Sequence, residues 1–286
     1  MANSSEILEH ILSTPPSSIV PVVYQFLVPN AKGLENLLSV YDRFKPAVTS
    51  TTKSTSGVTA ATSTADPSAS IPEVEISLFT AATEAFTQKN TNCSIAESLD
   101  RFRPVFNRAK DANLRVRAYI SVALGCPYEG PDVDPHKVAD LAVTLLEMGA
   151  YEISVADTTG LGTASKTKKL LQTLSAAGIR EKDLALHFHD TYGQALVNAV
   201  VGLEHGIRTF DSAAAGLGGC PYSPGATGNV SSEDLVWLCE ALAPGSKGVD
   251  MEELATAGDW VSDELSRRNE SRAGKALLAK LKREGR

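Results

Sequence analysis

At 286 residues the chain has room for one α/β barrel or two smaller domains, and 43% hydrophobic with 21% charged residues excludes a mainly disordered, collagen-like or coiled-coil chain. A net charge of -7 argues against nucleic acid as a partner, since duplex binding needs a basic face to displace counterions. No apolar run reaches the roughly 18 residues of a membrane helix, so no membrane partner is expected.

The first residues, Met1 to Ile7, lack the basic start and apolar core of a signal peptide and the Arg-rich pattern of a transit peptide. Ile19 to Val28 reads as a strand and Lys32 to Tyr41 as a short helix. From Thr49 to Ser70, 13 of 22 residues are Ser or Thr. Such a segment cannot bury enough surface to order itself and is read as a disordered insert. Val74 to Phe79 is the next strand. The capping box Ser94-Ile-Ala-Glu97 opens a helix that turns Leu99, Phe102, Phe106 and Ala109 inward, and Val116 to Leu124 is the strand after it.

A repeating unit follows. Val138, Leu141, Ala142, Leu145 and Leu146 have the spacing of a helix buried on one face, Gly149 stands at its left-handed cap, and Tyr151 to Ala156 is β-rich. The same order recurs with Leu170, Leu171 and Leu174, then Gly178, then the strand Leu184 to His189. It recurs again with Leu196, Ala199 and Leu203, then Gly206, then Ile207 to Ser212. This is the rhythm of a parallel α/β sheet. It supplies six strands with six helical segments, two units short of an eight-stranded TIM barrel. Residues 250–286 read as a C-terminal helical region. Its basic tail, Ser266 to Arg286, carries eight Lys or Arg against Glu270 and Glu284 and packs Leu277, Leu278 and Leu281 inward.

The chemistry gathers after two of these strands. His187 and His189 lie at i and i+2, so they share one face of their strand at its carboxyl end. That pair suits a divalent metal, although two histidines at this spacing also occur incidentally. Gly216 to Asn229 holds five glycines and two prolines around Cys220. It reads as a shaped mouth loop presenting a thiol or as a glycine-rich turn with a passive one; it opens no helix and so is not a dinucleotide fingerprint. Asn229 offers a hard carbonyl ligand. Asp157, closing its strand before Thr158-Thr159-Gly160, is a candidate catalytic carboxylate. Arg117, near the start of its strand, reads equally as a substrate contact and as a salt bridge inside the barrel. Cys93 and Cys239 read as buried small hydrophobes, and Cys126, in Gly125-Cys-Pro-Tyr128, as a weaker candidate on a second mouth loop.

Gly216-Leu-Gly-Gly-Cys-Pro-Tyr222 resembles the signature of the 3-hydroxy-3-methylglutaryl-CoA lyase family, metal-dependent TIM-barrel enzymes akin to isopropylmalate and homocitrate synthases. The resemblance extends through Glu75-Ile-Ser-Leu-Phe79, Lys89-Asn-Thr-Asn-Cys-Ser94, Leu124-Gly-Cys-Pro-Tyr-Glu-Gly130, Tyr151-Glu-Ile-Ser154 and His187-Phe-His-Asp-Thr-Tyr-Gly-Gln194. It implies cleavage of 3-hydroxy-3-methylglutaryl-CoA, an acyl-CoA, to acetyl-CoA and acetoacetate, the step that ends leucine degradation and forms ketone bodies. His187, His189 and Asn229 would hold Mg2+ or Mn2+, with His187 also placed among the catalytic groups. Cys220 would act as acid/base and Asn90 would touch substrate. The resemblance also implies a mitochondrial location and leaves a homodimer open. The family's first strand ends in Arg-Asp-Gly, supplying a metal-ligand aspartate and an arginine for the enolate; no Arg-Asp pair occurs here. The two units missing from the strand count match those that carry this motif. That leaves a non-catalytic chain, or a related condensing enzyme, as competing readings.

Overall fold

The computed structural model describes residues 3–18, 20–45, 72–219, 228–242 and 248–286. The Ser/Thr-rich segment and Cys220 lie outside the described residues. In chain order the elements are α1 (Ser4–Ser13), β1 (Val23–Leu27), α2 (Ala31–Tyr41), β2 (Glu73–Ala81), α3 (Glu84–Thr91), α4 (Ile95–Asp111), β3 (Val116–Ser121), α5 (Pro135–Glu147) and β4 (Glu152–Asp157). They continue with α6 (Ala164–Ala176), β5 (Leu184–Phe188), α7 (Ala195–Glu204), β6 (Thr209–Asp211), α8 (Ser232–Leu242), α9 (Met251–Glu264) and α10 (Arg272–Arg283). All six expected strands are present.

The strands form one sheet in sequential order, every neighbouring pair parallel. This is the arrangement of a (β/α)8 barrel with six strands, curled and left open between β1 and β6. Each strand alternates across the sheet. Ile76 and Leu78, Ala118 and Ile120, Ile153 and Val155, and Leu184, Leu186 and Phe188 face the helices and form one buried core with them. The intervening residues, Glu75, Arg117, Glu152, Ser154, His187 and Asp211 among them, line the concave face.

Local chemistry sets the boundaries. Ser94 accepts from the Glu97 N–H while Glu97 accepts from the Ser94 N–H, so the expected capping box is formed. The expected caps at Gly149, Gly178 and Gly206 all have positive φ, at 112°, 84° and 86°. β3 stops three residues earlier than its apolar run, because Val122 turns to φ 53° and gives its N–H to Thr158 Oγ1 at 2.9 Å. Two helices escape the periodic pattern. In α1 only Leu8 and Leu12 are buried, and α3 is short with a single large buried residue, Phe86. In α10 the three tail leucines are half-buried, with the basic residues on the wet side. Among the described residues no helix is long and apolar enough to cross a membrane.

The opposed faces of the sheet give adjacent residues unequal weight. Ile153→Ala empties a fully buried apolar site and should cost about 2–5 kcal/mol, whereas its neighbour Ser154→Ala forfeits one hydrogen bond to the Asp211 carboxylate, about 1.5–3 kcal/mol. Urea unfolding checks this through two further substitutions at Ile153: Ile153→Val should stay folded with a loss of about 0.5–1.5 kcal/mol, Ile153→Asp should unfold the protein, and an Ile153→Asp protein as stable as wild type would mean that the face assignment of β4 is wrong.

Candidate active site

The carboxyl ends of the strands form the mouth of the half-barrel, the usual place for a site in this architecture. His187, on β5, and His189, one residue beyond it, project to the same side with ring centroids 5.4 Å apart and planes 43° apart. Asn229 comes from far along the chain and meets His189 through an antiparallel β-bridge. The Asn229 side chain is held by its own Nδ2, which donates to the Leu217 carbonyl at 2.7 Å. Its Oδ1 is buried with no partner, as is His189 Nδ1. Burial, helped by the proximity of His187, holds the His189 imidazole down at about 4, so it is neutral at pH 7 with a lone pair to give.

Buried donors left without partners, as His189 Nδ1 and Asn229 Oδ1 are, fit a divalent cation, since a buried polar atom otherwise carries an uncompensated desolvation cost. Among the described residues no group of three or more His, Cys, Asp or Glu side chains is placed to hold a metal. The β-bridge sets Asn229, with its amide oxygen, beside His189.

Other expected site residues lie elsewhere. Asp157 meets the histidines only through its backbone carbonyl, which accepts from the His189 N–H at 3.2 Å; its side chain faces the helix side with Ile153 and Val155 and the residue is 1% exposed. Its Oδ2 accepts from the Gly162 N–H at 2.8 Å and its Oδ1 from the Thr159 hydroxyl at 3.4 Å. It thus braces the turn after β4. Burial pushes its carboxyl up to about 6 against the pull of these donors. Arg117, one of two readings of which was a substrate contact, is 7% exposed and engaged inside the barrel. It donates to Asp211 Oδ1 at 2.8 Å and Tyr119 Oη at 2.9 Å, and Glu152 Oε2 lies 3.5 Å from its Nε. Desolvation would lower its pKa, but Asp211, Tyr119 and Glu152 raise it overall. Asn90 sits half-buried near the end of α3, the helix following β2. Cys126 is buried against Thr83 and Phe86, not presented by its loop, and Cys93 is buried as expected, while Cys239 is half-exposed.

The concave face carries a network not anticipated residue by residue. Gln25 on β1 donates to Glu75 on β2 at 3.1 Å, and Glu75 accepts from Arg115 and from Tyr151 Oη at 3.1 and 2.8 Å. Tyr119 on β3 donates back to Gln25 at 3.0 Å. Asp211 on β6 accepts from Arg117 and, through Oδ2, from Ser154 Oγ at 2.7 Å. The signal was available in β2, β3 and β4, where Glu73, Glu75 and Ser77, Arg117 and Tyr119, and Glu152 and Ser154 alternate with apolar residues; β1 offers Gln25 alone on that face and β6 is too short to show alternation.

Protonation links the two buried groups to stability. His189 is displaced downward, so the unfolded chain binds the extra proton between pH 6.5 and about 4. Its contribution is full above 6.5 and lost as pH falls to about 4. Asp157 is displaced upward from 3.8 to about 6, so the native state holds the extra proton. Its contribution is full below 3.8 and lost as pH rises through about 6. Each is worth roughly 3 kcal/mol, and between pH 4 and 6 they oppose each other. In metal-free protein, Asp157→Asn should make stability rise with pH across that window relative to wild type, and His189→Gln should make it fall. Parallel urea-midpoint curves for all three proteins would refute both assignments.

The chain matches the HMGL-like family model over residues 36–261. A 3-hydroxy-3-isohexenylglutaryl-CoA/hydroxy-methylglutaryl-CoA lyase from Pseudomonas aeruginosa is 46% identical over 280 residues, covering 98% of this chain and 80% of that protein. A mitochondrial hydroxymethylglutaryl-CoA lyase from Rattus norvegicus is 41% identical over 276 residues, covering 96% of this chain and 73% of that protein. The crystal structure of hydroxymethylglutaryl-CoA lyase from Pseudomonas aeruginosa superposes with a TM-score of 0.80 at 44% identity, over 98% of this chain and 80% of that one. With its parallel half-barrel and its histidine pair at the mouth, the chain belongs to the HMGL-like family.

Proposed function

We propose that the chain is a carbon–carbon lyase that cleaves 3-hydroxy-3-methylglutaryl-CoA to acetyl-CoA and acetoacetate with the help of a divalent cation. The observation that carries this reading is the identity with named lyases along nearly the whole chain, together with the meeting of His187, His189 and Asn229 at the strand ends. Cleaving the C2–C3 bond requires loss of the C3 hydroxyl proton and protonation of the departing thioester enolate. His187, His189 and Asn229 would hold Mg2+ or Mn2+, which supplies charge stabilisation on oxygen and lowers the hydroxyl pKa. A positioned acid/base contributes roughly 10²–10⁴ in rate, and Cys220, on the glycine-rich segment, is the group assigned to it. Asn90 is assigned to substrate and Asp157 to bracing the mouth turn. Arg117 acts through Asp211 and not on substrate. A mitochondrial compartment rests on the mitochondrial name of the rat relative.

Acetoacetate release should stop on chelation, return with Mn2+, and vanish in His189→Ala. Release that survives both chelation and His189→Ala would overturn the metal-dependent reading.

A further inference from the structure

We infer that Asp211 is a positioning residue that holds the His187 ring with its proton on Nδ1, turning the Nε2 lone pair toward the mouth. The inference rests on the reading of His187 as a cation ligand.

The β5–β6 register places Asp211 directly opposite His187 on the concave face. Both carboxylate oxygens are tethered from other strands: Oδ1 by Arg117 of β3 at 2.8 Å and Oδ2 by Ser154 of β4 at 2.7 Å. A carboxylate fixed at both oxygens cannot follow a moving ring. The ring must adapt to it. Oδ2 lies 3.3 Å from His187 Nδ1, within ion-pair reach but without the alignment of a formed hydrogen bond, and the edge of the ring is set at 84° to Tyr119 with centroids 6.1 Å apart. Tyr119 is itself pinned between Arg117 and Gln25. His187 is thus oriented by two immobile neighbours while its side chain keeps 24% exposure toward the mouth. An ionised carboxylate only accepts hydrogen bonds. It therefore selects the tautomer with the proton on the facing nitrogen and strengthens the other nitrogen as a donor to a cation.

The alternative is that Asp211 serves only as counter-ion to Arg117. Glu152 separates the two, because it also faces Arg117, at 3.5 Å, while the ion-pair partner of His187 is Asp211. In metal-free wild type at neutral pH, 15N NMR of histidine-labelled protein should show His187 as the Nδ1–H form. In Asp211→Asn the tautomer should change and Mn2+ should bind about tenfold or more weakly by calorimetry. In Glu152→Gln the tautomer should persist and Mn2+ affinity should stay within about twofold. Nε2–H in the wild type overturns the inference whether or not any variant folds. So does equal weakening in the two variants, which would mean that both act through Arg117. None of these readouts uses an acyl-CoA: failure to release acetoacetate with the Nδ1–H form in place rejects the proposed reaction and leaves the role of Asp211 standing.

Discussion

The contact on which this structure depends is the one between Arg117 on β3 and Asp211 on β6, at 2.8 Å. Three strand spacings separate these strands along the sheet, about 14 Å if it were flat. A direct contact is possible only because the sheet curls. Tyr119 reaching Gln25 on β1 closes the other half of the arc. In a complete barrel, curvature follows from closure of the hydrogen-bonded ladder; here β1 and β6 do not pair among the described residues. The concave face holds its shape through side chains instead. Removing one partner would leave a buried charge uncompensated, which is far costlier than never having built the pair.

The same contact connects fold to site. Arg117 neutralises Asp211 at depth, Ser154 takes the second oxygen, and the remaining edge of that oxygen faces His187 at the rim. Burial works against an ionised Asp211, but the nearness of His187, the charge of Arg117 and the hydrogen bond from Ser154 outweigh it and hold its pKa below the ordinary carboxylate value. At the far end of the same face, Glu75 gathers Arg115, Tyr151 and Gln25. Structural and functional polar groups thus form one connected set, graded from buried to half-exposed along the strands.

The strands were legible because they carry apolar residues on the helix-facing side, and β3, β4 and β5 are each followed by a helix that ends at a positive-φ glycine, Gly149, Gly178 and Gly206. The histidine pair was legible because period two at a strand end is a strong geometric statement. Asp211 was not, because the short β6 run shows too few residues for its alternation to stand out. Asp157 was misplaced for a related reason. A carboxylate at a strand's end looks catalytic, but parity puts it on the side of Ile153 and Val155, and sequence position alone does not say which parity faces inward. Reading polar residues as the inward set, against the usual expectation for a soluble sheet, would have assigned Arg117, Ser154 and Asp211 together and left Asp157 outside.

Charge on the concave face is shared rather than paired off. Glu75, Glu152 and Asp211 stand against Arg115 and Arg117, and Arg115 divides itself between Glu75 and the exposed Glu73. Arg117 lies 2.8 Å from Asp211 and 3.5 Å from Glu152. Burial raises the Glu152 pKa and Arg117 opposes it, but Asp211 and Glu75 push it up again, so its net direction is upward. Of the two carboxylates that face one guanidinium, the one with the shorter contact is held below the ordinary carboxylate value and the other is driven above it.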